Sequence, residues 1–92
     1  MTLKNKMFQP GLALYEVVVG TFKAAGTTFA AWCKEAGVNE TVARNALKGV
    51  STGTQGQEMV ERLIDGAGRE VVEVSYRVRM QRHMEVVESA SL

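Results

Sequence analysis

The sequence predicts an all-α fold, a small bundle of four to five helices with a long C-terminal helix. Three observations predict it. Apolar residues recur at three- and four-residue steps through most of the chain, the spacing that places them on one face of a helix. Glycines at Gly11, Gly26, Gly37, Gly49, Gly53 and the Gly66/Gly68 pair cut these periodic blocks at helix length. The composition, 46% hydrophobic and 23% charged with a single proline, is that of a chain that folds rather than one that stays disordered. At this length there is material for one hydrophobic core, so residues 1–92 read as a single domain.

Each element has its own signals. From Leu12 to Ala25, the residues Leu12, Tyr15, Val18, Val19, Phe22 and Ala25 form one apolar stripe, and Gly26 ends the helix in a left-handed cap. Thr27 and Thr28 are N-cap candidates for a short second helix whose inner positions are Phe29, Trp32, Cys33 and Ala36, stopped by Gly37. Asn39 caps a third, with Val42, Ala43, Ala46, Leu47 and Val50 facing inward and Gly49 near its end. Thr54 and Gln57 have the spacing of a capping box at the head of a fourth, whose apolar positions are Met59, Val60, Leu63, Ile64 and Ala67.

The last segment fits two periods. Val72, Tyr76, Met80, Met84 and Val87 share a helical face, and Glu70 to Glu88 contains no glycine, proline or asparagine to break a long helix. Val72, Val74, Tyr76, Val78 and Met80 also alternate with polar residues as a half-buried strand does, although no turn signal or partner strand is visible.

Composition narrows the function classes. One cysteine, Cys33, excludes an intrachain disulfide, and with one histidine, His83, a Cys/His zinc site lacks ligands; a reducing, cytoplasmic compartment is the expectation. No uncharged run approaches the roughly 18 residues of a membrane span. His83 has no catalytic partner nearby in sequence, and Ser51, Gly53 and Gly56 lack the lysine spacing of a phosphate loop. The chain is therefore expected to be neither enzyme nor cofactor binder, with no small-molecule pocket. Net charge is +1, but the basic excess is local. Residues 1–50 hold six basic against three acidic side chains, and residues 51–92 hold five against seven.

Residues 29–49, FAAWCKEAGVNETVARNALKG, carry the most specific signal. Two short amphipathic helices with a glycine where the chain turns, small residues where they touch and apolar inner faces are the requirements of a helix-turn-helix. Gly37 supplies the turn, and Trp32, Ala36, Val38, Ala43, Ala46 and Leu47 the inner positions. The segment resembles the helix-turn-helix of the lambda repressor and Cro class, closely over about a quarter of the chain. It departs from that class in two places. Cys33 stands where alanine is usual, and Ala43 where a branched aliphatic is commoner.

The resemblance implies a DNA-binding role for named residues. The helix beginning at Asn39 would enter the major groove, and Asn39, Glu40, Thr41, Arg44 and Asn45 are the candidate base contacts. Their chemistry suits this, since Arg44 can fork onto guanine, Asn45 onto adenine, Glu40 can accept from cytosine, and Thr41 can touch a thymine methyl. Thr27, Thr28, Lys34 and Lys48 are the candidate phosphate contacts. Lys4 and Lys6, ahead of Pro10, form a basic arm that could follow the backbone, and Arg77, Arg79 and Arg82 are a basic cluster interleaved with glutamates.

One such module covers too little DNA for selective binding, so a homodimer on a palindrome is expected. Residues 69–89 are the candidate dimerisation segment, through Val71, Val72, Tyr76, Met80, Met84 and Val87, which are more apolar surface than a small bundle covers, as a helix or as an intermolecular strand. The expected function is that of a small transcriptional repressor of the Cro or Ner type, as found in phages and mobile elements, with double-stranded DNA as partner. The alternatives are a helix-turn-helix adapter in a phage packaging or other nucleoprotein assembly, and a protein-interaction module.

Overall fold

The computed structural model describes residues 8–51 and 53–91, with side chains as far as Met84. Among these residues the chain forms five helices and no strand: α1 (Leu12–Ala24), α2 (Phe29–Ala36), α3 (Glu40–Lys48), α4 (Thr54–Ala67) and α5 (Arg69–Ser91). The alternation after Glu70 thus resolves as helix. The four-residue steps of Val72, Tyr76 and Met80 find a core to pack on, and among the described residues there is no strand for the two-residue pattern to join.

The sequence places α1 at the centre, where it touches each of the other four helices. A helix surrounded on several sides buries a broad face rather than one stripe. Leu14, Val17, Val18, Thr21 and Phe22 are buried, which shifts the expected stripe: Leu12, in the first turn, is exposed, and Ala25 lies beyond the helix end, also exposed. Thr21 is tolerated inside because its hydroxyl donates to the Val17 carbonyl at 2.8 Å. Gly26, at φ 90°, turns the chain, with its N–H donating to Lys23 O and that of Thr27 to Phe22 O, as the left-handed cap predicts.

Both helices of the turn region are held at their ends. Thr28 Oγ1 accepts from Ala31 N at 3.0 Å at the head of α2, and Gly37, at φ 71°, closes it. Asn39 Oδ1 accepts from Val42 N at 3.1 Å at the head of α3, and Gly49, at φ 86°, closes that one. Of the inner positions expected on α3, Ala43, Ala46 and Leu47 are fully buried, but Val42 and Val50 are exposed. Val42 sits at the edge of the buried arc, and Val50 follows the cap rather than the last helical turn.

Helix α4 begins without a side-chain cap. Thr54 is already helical and Gly53 is the cap residue, so the expected capping box does not form. Close approach explains two of its glycines. A Cβ on Gly56 would stand 2.2 Å from the Ser51 carbonyl oxygen, and one on Gly66 would stand 2.3 Å from the Trp32 ring, which also meets Phe22 at 5.4 Å between centroids. Val60, Leu63 and Ile64 complete the core from this helix.

The segment before α1 is strapped across the bundle. Phe8 is buried against the Tyr76 ring at 5.3 Å, Gln9 N donates to the Tyr76 hydroxyl at 3.1 Å, and Gly11 N donates to Leu47 O at 2.8 Å. Tyr76 and Val72 are therefore core residues of the chain itself. They are not the free dimerisation surface the sequence suggested, because the bundle consumes that face of α5. Met80 is half-buried on the same core, Met84 is exposed, and Val87 lies outside the described side chains. No helix among the described residues is long and apolar enough to cross a membrane.

Candidate nucleic-acid interface

Helix α3 keeps one face in the bundle and one outside it. At 100° per residue, the side opposite Ala43, Ala46 and Leu47 carries Thr41, Asn45 and Lys48. Arg44 lies on the edge toward α1 and Val42 on the edge toward α4. Thr41 and Lys48 are exposed, and Arg44 and Asn45 are half-buried.

The side chains on this face are ordered by one another. Glu40, in the first turn, complements the helix N-terminus and accepts from Arg44 Nη2 at 2.8 Å. Arg44 lies beside the Tyr15 phenol, and Tyr15 and then Glu40 favour its charged form and raise its pKa further. Lys48 Nζ stands 4.7 Å above the centroid of the Tyr15 ring, within cation–π range. Tyr15, itself edge-on to Phe29 at 5.9 Å, thus gathers the two cations of α3 on one side. Beneath them, burial pushes the Cys33 thiol above its ordinary pKa, with Glu40 adding to the shift and Arg44 opposing it.

The structure brings together Asn39, Glu40, Thr41, Arg44, Asn45 and Lys48 on one short helix. Two of them already have local duties, Asn39 as the cap of α3 and Glu40 as the partner of Arg44. The remaining phosphate candidates sit on α2 or just ahead of it. The Thr28 oxygen caps α2, Thr27 is half-buried in the preceding turn, and Lys34 is exposed in the last turn of α2. Among the described residues, no hydrogen bond or ion pair links these three to α3. Lys4 and Lys6 fall outside the described residues. Arg79 pairs with Glu16 of α1 at 2.6 Å, which gives that part of the basic cluster a structural duty.

Sequence reasoning missed two contributors. Tyr15 does pack on the core, as its place in the α1 stripe predicts, but a tyrosine among aliphatic residues also signals a ring that packs while its hydroxyl reaches a polar neighbour. Arg62 of α4 donates to the Ala36 carbonyl at 3.0 Å and so ties α4 to the end of α2. Nothing in the local sequence marks that long-range bond. No known protein family, curated protein or solved structure matches this chain.

Proposed function

We propose that the chain is a small double-stranded-DNA-binding regulator, a cytoplasmic repressor without catalytic activity that acts as a homodimer on a palindromic operator. It reads the major groove through α3. The observation that carries this reading is the build of α3: a nine-residue helix capped at both ends, alanines and a leucine inward, and Thr41, Arg44, Asn45 and Lys48 outward. Capping fixes where the helix sits, small inner residues let it approach the bundle closely, and the outward set mixes base-reading with phosphate-binding chemistry. Glu40 and Tyr15 restrict Arg44 before DNA arrives, which lowers the cost of ordering a long side chain on binding. The similarity of residues 29–49 to the lambda repressor and Cro helix-turn-helix supports the same reading.

Binding to a randomised duplex pool at two salt concentrations, with sequencing of the retained DNA, tests it. The expected result is affinity that falls with salt and enrichment of a palindrome whose half-site centres lie about one helical turn apart. Salt-sensitive binding without enrichment would replace the regulator with a packaging or architectural role. Absence of binding would leave a protein-interaction module.

A further inference from the structure

We infer that the outer face of α5, carrying Val71, Val74 and Val78, is a dimer seam that takes the α5 of a second copy of this chain in antiparallel orientation. Helix α5 is apolar on two opposite sides. Val72, Tyr76 and Met80 serve the chain's own core, whereas Val71, Val74 and Val78 are 55%, 58% and 44% exposed. Their i, i+3, i+7 spacing is the repeat with which two helices mesh. Alongside, Gly20 and Ala24 of α1 and the three valines line one groove, with the Glu16–Arg79 ion pair and Arg82 also on it. At Gly20 there is open space where a Cβ would stand, so a side chain from a partner helix has room to enter.

The charges beside the seam select the occupant. Glu70 and Arg77 lie on the same flank, two turns apart, both exposed, and neither is in an ion pair among the described residues. A parallel copy, related by a two-fold axis along the helices, would put the two Glu70/Arg77 flanks on opposite sides of the seam, where Glu70 and Arg77 of the two copies cannot pair. An antiparallel copy crossing near Val74 sets each Glu70 beside the other copy's Arg77, and each Val71 beside the other copy's Val78. The two-fold axis keeps these flanks on one side, so both ion pairs form together. A second copy therefore satisfies the valines and the charges at once, which an unrelated apolar partner does not. At 23 residues and about 1.5 Å per residue, α5 is long enough to carry the seam.

This seam rests on the reading of the chain as a homodimeric regulator, but its test needs no DNA. Sedimentation equilibrium over micromolar concentrations is expected to give the mass of two chains, and Val74→Glu the mass of one with unchanged helical circular dichroism. Glu70→Arg alone and Arg77→Glu alone are each expected to raise the dimer Kd roughly tenfold or more, and the double reversal to restore it. A monomeric wild type, an assembly larger than two, a dimer indifferent to Val74→Glu, or single reversals that the double does not rescue would each overturn the seam. An intact dimer that enriches no DNA sequence would instead defeat the DNA reading alone.

Discussion

Helix α3 is nine residues long and held at both ends, by the Asn39 side chain and by left-handed Gly49, whereas α5 runs for 23 residues and places its described core contacts, Val72, Tyr76 and Met80, in its first half. The shorter helix puts only Ala43, Ala46 and Leu47 into the core and turns a polar face outward. The longer one has apolar residues left over on its outer side. On the proposed reading, their difference separates two ways of meeting a partner. A surface that must read a rigid, charged polymer needs its side chains placed by caps and neighbours, while a surface that meets its own copy needs area and self-complementary charge.

The largest effect is expected in the core that positions α3. Leu47→Ala removes a fully buried side chain whose carbonyl also receives Gly11 N, and is expected to cost about 2–5 kcal/mol in denaturant unfolding, with DNA binding lost alongside. On α5, Val72→Ala is expected to cost about 2 kcal/mol from two lost methyl groups and the cavity they leave. A smaller effect for Leu47 than for Val72 would mean that α3 is not seated as described.

Arg44→Ala comes next. It leaves the fold intact and is expected to cost about 1–3 kcal/mol on the preferred duplex while relaxing preference at one base pair, whereas Lys48→Ala weakens all duplexes alike and reduces the salt slope. Equal losses on preferred and random duplex for Arg44→Ala would move that residue from base to phosphate. Asn39→Ala removes the Oδ1 cap and is expected to cost about 0.5–2 kcal/mol in thermal unfolding, with Gly nearly as good as Asn at that position.

The smallest effect concerns pH. The Cys33 thiol titrates higher in the folded chain than its ordinary value of 9.0, so above about pH 9 the unfolded state holds fewer protons and stability falls as pH rises toward the folded value. Cys33→Ala is expected to flatten that fall in alkaline thermal melts. An unchanged alkaline slope would show that the buried thiol does not contribute to it.

Much of the fold is legible in the sequence because the signals are local. Thr28, Gly37, Asn39 and Gly49 act within one helical turn of themselves, and each caps or closes the helix its residue type predicts. Where burial departs from the local pattern, it depends on neighbours distant in sequence. Leu12 and Val42 have the right spacing for burial yet are 59% and 48% exposed, at the edges of their helices' packed faces, and Gly53 rather than Thr54 is the cap residue of α4. Tyr76 looked like surplus surface because Phe8, which covers it, is 68 residues away along the chain. The candidate interface is similarly divided. The outward order of Thr41, Arg44, Asn45 and Lys48 follows from helical periodicity, but the part Tyr15 plays follows only from how α1 packs on α3.

Amide chemical-shift mapping of the full chain, titrated with the duplex that the pool selection enriches, reads out whether α3 is the face that meets DNA. The largest shifts are expected at Thr41, Arg44, Asn45 and Lys48 on α3, with the Tyr15 ring responding as its two cations turn to DNA. Shifts confined to α5, or to α4 around Arg62, with α3 unmoved, would contradict that reading of α3.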